Sequence, residues 1–193
     1  EPLGGLVIKK MDSATKEPLS EVIFKVTTTD GAVVGTSNGE FRTDENGYIT
    51  IPDLEPGGYV VQELKAKEGY LLDNTPKAIQ IKDHQTYTLE FFNQPVGGLV
   101  IKKMDSVTKE PLSEVIFKVT TTDGAVVGTS NGEFRTDENG YISIPDLEPG
   151  GYVVQEVKTK DGYLLDNTPK TIQIKDHQTY TLEFFNQPKG NLI

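Results

Sequence analysis

The 193-residue chain has no cysteine. That single absence excludes disulfides, thiol nucleophiles and thiolate metal sites together. It does not fix the compartment, but small domains outside a cell would then need some other staple or none. No apolar run approaches the roughly 18 residues of a membrane helix. No signal peptide opens the sequence, and Glu1-Pro2-Leu3-Gly4 reads as the interior of a longer chain. Basic charge is scarce, with 19 Lys and Arg against 29 Asp and Glu, a net charge of -10 and a pI near 4.7. Nucleic acid and anionic membrane both favour a basic surface, so neither is expected as a partner. Histidine is nearly absent too: His84 and His177 are the only two, and each follows an aspartate where a hairpin turn is expected. A hydrolase needs a convergent set of partners, and neither His-Glu-x-x-His nor a phosphate loop occurs. Turnover of an external substrate is not expected, nor is any cofactor. Asp44-Glu45-Asn46-Gly47 resembles part of a calcium loop, but lacks the twelve-residue spacing and the terminal glutamate, and reads as a turn.

What is present is a repeat. Gly4 to Pro95 matches Gly97 to Pro188 without a gap, at an offset of 97 minus 4, or 93 residues. Six positions differ: Ala14/Val107, Thr50/Ser143, Leu64/Val157, Ala66/Thr159, Glu68/Asp161 and Ala78/Thr171. The period is too long for a solenoid unit of about 20–50 residues and suits a small domain. Two tandem domains are expected, 1–95 and 96–193, with 189–193 as the start of a further unit.

Turn signals are frequent: Asp30-Gly31, Asn38-Gly39, Asn46-Gly47 and Glu55-Pro56-Gly57-Gly58. Such pairs supply the positive φ angles of tight hairpins. Between them lie short runs rich in Val, Ile, Thr, Tyr and Phe. Strands are expected near 5–11, 21–28, 32–35, 47–51, 58–64, 77–82 and 86–93, with no amphipathic helix. About seven strands with regular turns point to an all-β sandwich or partly open barrel.

Strand side chains alternate faces. Leu6, Ile8 and Lys10 share one face; Tyr59, Val61 and Glu63 share another; Tyr87, Leu89, Phe91 and Asn93 a third. Each series is apolar until it ends in a polar group. Two readings follow. Lys10 can be a strand lysine with its head in water, paired with Glu63, while Asn93 satisfies backbone groups at a strand end. Alternatively, desolvation lowers the lysine pKa, and a buried carboxylic acid polarises the carboxamide. The amine then attacks the side-chain carbonyl carbon and ammonia leaves, which cross-links Lys10 to Asn93.

Several segments together resemble the CnaB-type domain (SpaA-like, or B-repeat) of Gram-positive surface proteins and pilins. They are "LVIKKMDSATKEPLSEVIFKV", "IPDLEPGGYVVQE", "GYLLD" and "LEFFNQP", in that order in both units. The resemblance implies a transthyretin-like, Ig-like β-sandwich. It also implies a self-formed isopeptide bond between a first-strand lysine and a last-strand asparagine, promoted by a glutamate. Carried onto this sequence, the lysines are Lys10 and Lys103, two before an aspartate. The glutamates are Glu63 and Glu156, and the asparagines are Asn93 and Asn186. Lys9 is expected to be solvated. Glu21-Val22 and Ala66-Lys67 depart from the family pattern, and both are expected to lie off this triad.

Such a bond would close nearly the whole unit and remove roughly 4–5 kcal/mol of unfolded-chain freedom, by analogy with a disulfide. The expected function is a spacer, non-enzymatic apart from one self-cross-linking turnover. It would sit on a cell-wall-anchored surface adhesin or pilin, with the anchor signal outside this sequence. Its partners would be neighbouring repeats of the same chain, with any host ligand bound by another domain. The competing reading is a ligand-binding adhesin module, for which two near-identical copies would offer avidity.

Overall fold

The computed structural model describes residues 2–190. Residues 191–193, in the stretch expected to open a further unit, lie outside them. Among the described residues there is no helix, and the chain divides into two compact units, Glu1–Pro95 and Val96–Ile193.

The first unit contains β1 (Gly4–Asp12), β2 (Ile23–Thr28), β3 (Glu40–Arg42), β4 (Tyr48–Leu54), β5 (Gly57–Lys65), β6 (Lys77–Ile81) and β7 (Thr86–Asn93). They form two sheets, ordered β4-β1-β7 and β3-β2-β5-β6. Alternation in each strand supplies the apolar filling between them. Leu6 and Ile8 come from β1, Phe24 and Val26 from β2, and Ile49 and Ile51 from β4. Tyr59 and Val61 of β5 and Phe91 of β7 complete this part of the core. The rings of Phe24 and Phe91 meet edge to face, with centroids 4.8 Å apart. The chain is an all-β protein of two sandwich units, as its turn spacing suggests.

The third strand falls elsewhere than expected, the second starts late, and the fourth runs on to Leu54 rather than ending at 51. No strand forms over 32–35; Val33 makes only an isolated bridge to Thr27. Gly31 and Gly35 both adopt positive φ, 94° and 78°, which leaves too little extended chain between them for a ladder. The third strand is Glu40–Arg42, between the turn pairs Asn38-Gly39 and Asn46-Gly47, where no strand is expected. Phe41 explains this, because it pairs with Phe24 and packs on the core. The second strand begins at Ile23 rather than 21, since Glu21 takes a φ of 62°.

One pairing could not be read from local pattern. β1 runs antiparallel to β4 but parallel to β7, from Gly5 opposite Thr86 to Asp12 opposite Asn93. The first and last strands of the unit are therefore neighbours.

The second unit repeats this arrangement with β8 (Gly97–Asp105), β9 (Ile116–Thr121), β10 (Glu133–Arg135), β11 (Tyr141–Leu147), β12 (Gly150–Lys158), β13 (Lys170–Ile174) and β14 (Thr179–Asn186). Its sheets are β11-β8-β14 and β10-β9-β12-β13.

Candidate functional site

Lys10 sits near the end of the inward stripe of β1. Its backbone is fixed on both sides: its N–H donates to Gly47 O at 2.8 Å, and its carbonyl accepts from Leu19 N–H at 3.0 Å. Gly47 has a φ of 79°, and a Cβ there would stand 2.6 Å from the Lys10 carbonyl oxygen. Only glycine lets this turn close over the strand.

The side chain does not reach water. Lys10 is 1% exposed, Glu63 0% and Asn93 1%. Lys10 Nζ donates to Asn93 Oδ1 and lies 2.8 Å from Glu63 Oε1. Asn93 Nδ2 donates to both Glu63 oxygens, at 2.9 and 3.0 Å. The Asp73 backbone N–H donates to Glu63 Oε2 at 3.1 Å. The Phe24 ring stands 5.9 Å from Nζ and forms an apolar wall. The snorkelling reading of Lys10 is therefore set aside, while its pairing with Glu63 holds.

Burial pushes the Lys10 ammonium below its ordinary value of 10.5; the contacts with Glu63 and the charge of Asp73 act the other way. Lys103 is lowered for the same first reason, with Glu156 opposing. Burying an ion pair rarely repays its desolvation as well as apolar packing of similar volume. A lysine, a glutamate and an asparagine buried together in each unit thus favour a chemical role over a stabilising one.

The second unit brings together the corresponding residues. Lys103 Nζ donates to Asn186 Oδ1 at 2.5 Å and lies 3.1 Å from Glu156 Oε1. Asn186 Nδ2 donates to Glu156 Oε1 at 2.7 Å and to Thr159 Oγ1 at 2.7 Å. The Asp166 N–H donates to Glu156 Oε2 at 3.0 Å. Position 66/159, expected off the triad, therefore touches it in this unit. The chain after β12 runs alongside the residues that follow β14, where Tyr163 bridges Pro188 and Leu164 N–H donates to Gln187 O. The Ala66/Thr159 difference between the repeats was the available signal.

Further residues of the quoted segments, Asp12 and Tyr70 to Asp73, join the site. Asp12 Oδ1 accepts from the Ala14 and Thr15 N–H groups, and its Oδ2 accepts from Tyr70 OH at 2.8 Å. Tyr70 bridges to Pro95, and Leu71 N–H donates to Gln94 O at 2.9 Å. The segment from Tyr70 to Asp73 is thus a strap tied to the ends of β1 and β7, and its last N–H grips Glu63. A cavity of about 220 Å³, lined by Lys10, Asp73, Thr75, Lys77, Phe91 and Phe92, adjoins the lysine.

The remaining candidates fall elsewhere. Lys9 is half-buried rather than solvated, on the opposite face, with Nζ 5.9 Å from the Tyr48 ring centre. His84 and His177 are exposed, in turns with φ of 57°. Asp44 Oδ1 is occupied by the N–H groups of Asn46 and Tyr48, which makes the segment a turn. Gly35-Thr36-Ser37-Asn38-Gly39 spells Gly-x-Ser-x-Gly, the pattern of a hydrolase nucleophile. That role needs a strand-turn-helix elbow. Here the pattern is a run of turns leading into β3, with Thr36, Ser37 and Asn38 exposed, and no helix follows.

A family profile described as SpaA, a prealbumin-like fold domain, matches residues 4–95 and again 97–188. The collagen adhesin of Staphylococcus aureus is 26% identical over 203 residues, which covers 88% of this chain and 17% of that protein. Among solved structures, the Bacillus anthracis TIE protein is 27% identical with a TM-score of 0.50, over 97% of this chain and 34% of that one. A streptococcal ancillary pilin matches in fold at 24% identity and a TM-score of 0.51, over 97% of this chain and 63% of that one. The chain thus spans about a sixth of the collagen adhesin's length. Of these, one is named an adhesin and one a pilin.

Proposed function

The chain belongs to the SpaA family of prealbumin-like fold domains, and we propose that its two units are tension-resisting spacers of a Gram-positive surface adhesin or pilin. Each is closed by a self-formed amide bond, Lys10 to Asn93 and Lys103 to Asn186, promoted by Glu63 and Glu156. The observation that carries this reading is the buried contact of the Lys10 amine with the Asn93 carboxamide, both held against Glu63.

The chemistry follows from that geometry. One proton moved across the 2.8 Å contact converts the ion pair into a neutral amine and a carboxylic acid, and burial of Lys10 favours the neutral amine. Nζ attacks Cγ of Asn93. The carboxyl group returns its proton to the departing Nδ2, which it already faces, and takes one from the new amide nitrogen. The C–N bond to Nδ2 breaks, ammonia leaves, and Glu63 is left as the carboxylic acid, holding the proton that the lysine ammonium brought to the pair. The adjoining cavity gives the ammonia a way out. No cofactor is needed, because proximity supplies the rate: well-held groups reach effective molarities of roughly 10⁵–10⁸ M. The site acts once, since its lysine and asparagine are consumed.

In the parent protein the units occupy the extracellular surface and keep a terminal domain away from the cell wall, and ligand recognition belongs to that domain. The test is the intact mass of the folded chain. A deficit of two ammonia molecules is expected, one per unit. The full sequence mass, measured on folded protein, overturns the cross-link.

A further inference from the structure

We propose that Thr159 is a further catalytic residue of the second unit, whose hydroxyl holds the leaving nitrogen and makes that unit close faster than the first. The inference rests on the cross-linking reading and deepens it.

The two units form an internal comparison. Five of their six sequence differences involve side chains exposed in both copies: Ala14/Val107, Thr50/Ser143, Leu64/Val157, Glu68/Asp161 and Ala78/Thr171. The sixth, Ala66/Thr159, is half-buried and lies against the site. In the first unit a methyl group stands at this position, and Asn93 Nδ2 turns to one carboxylate alone, at 2.9 and 3.0 Å. In the second unit the two N–H bonds of Asn186 are divided between separate acceptors. One goes to Glu156 Oε1 and the other to Thr159 Oγ1, both at 2.7 Å.

This division has a consequence for the bond-breaking step. The carboxamide nitrogen is nearly neutral at the start. When Nδ2 takes up a proton and begins to leave, its N–H bonds become more strongly polarised. A hydroxyl that accepts from one of them binds the transition state more tightly than the ground state, which is the condition for acceleration. Thr159 neither gives nor takes a proton; Glu156 still carries out both transfers. A hydrogen bond to a charged group contributes more than one to a neutral group, and the difference corresponds to about tenfold in rate.

The full chain can be made by cell-free translation, quenched in acid at intervals and digested with trypsin. The temperature is set so that the first-unit bond takes minutes to form. The peptides carrying Asn93 and Asn186 continue differently, through Val96 and to Lys189, so the two bonds are scored separately. The second unit is expected to lead by about tenfold. Thr159→Val, which keeps the shape and removes the hydroxyl, should bring it down to the rate of the first unit, and Thr159→Ser should preserve the lead. Ala66→Thr should accelerate the first unit. Equal rates in the parent chain, or a lead that survives in folded Thr159→Val, overturn the proposal while leaving the cross-link intact. Full mass in both units at every time is a different result: it removes the cross-link itself and this role with it.

Discussion

Lys10 lies opposite Phe91 in the parallel register of β1 and β7, and Asn93 is the next residue of β7 on the same face. The amine and carboxamide side chains are thus diagonal neighbours on the strands that begin and end the unit. Backbone pairing along eight register positions brings them together before any side-chain chemistry is needed. Folding itself assembles the site.

The glutamates provide the most direct test of roles. In Glu63→Ala with Glu156→Ala, each amine keeps its carboxamide neighbour but loses its proton carrier, and neither bond should form. The chain should show its full sequence mass. Each unlinked unit should lose about 4–5 kcal/mol, which for a domain of this size lowers the melting temperature by about 20–30 °C. A variant that keeps both ammonia deficits would show that the bond forms without the carboxyl groups.

The inward stripes ending in Lys10, Glu63 and Asn93 were legible because period-two alternation is a local property, readable strand by strand. The strands other than β3 were legible from their β-branched and aromatic runs between turn signals. The parallel neighbours β1 and β7 were not, since pairing across a whole domain leaves no trace in either strand. Phe41 misled in the other direction: one aromatic among turn residues carries no period, yet the core recruits it. The grip of the Asp73 N–H on Glu63 is a backbone contact, independent of residue type. Thr159 was visible as a difference between the repeats, but only the fold places it beside Asn186.

Gly47 offers a test of the scaffold. Gly47→Ala puts a Cβ 2.6 Å from the Lys10 carbonyl oxygen at a residue with a φ of 79°. The turn must shift and carry β1 with it. A loss of about 1–3 kcal/mol from strain is expected, together with slower bond formation in the first unit alone. Thermal melts and peptide-resolved mass spectra read the two effects, and the second unit serves as the control.

Under force, the bond should decide how far each unit extends. In a cross-linked unit, tension entering at Gly4 would run to Lys10, cross to Asn93 and leave toward Pro95, bypassing the chain between these residues, which stand 83 apart in sequence. Pulled from its ends, the parent chain should show no unfolding step attributable to that span. The double glutamate variant should show two steps, each releasing about 280 Å of contour length. Large steps in fully cross-linked protein would mean that the load takes another path.

The alkaline side of the rate profile tests whether the pair works with one shared proton. In the proposed reaction Lys10 and Glu63 act as amine and carboxylic acid, the tautomer of ammonium and carboxylate. Raising the pH past the Lys10 pKa removes that proton from the pair, and Nδ2 then has no donor as it leaves. Burial lowers this pKa below 10.5, so the rate of bond formation should fall with an alkaline midpoint below 10.5. Lys103 is shifted in the same direction, again by burial, and its unit should follow suit. The measurement is the early rate of ammonia loss by mass spectrometry, on freshly synthesised chain moved to buffers of rising pH in which folding is verified by circular dichroism. A rate that keeps climbing through pH 10.5 would show that the free amine alone suffices, and the glutamate would then be a positioning group rather than a proton carrier.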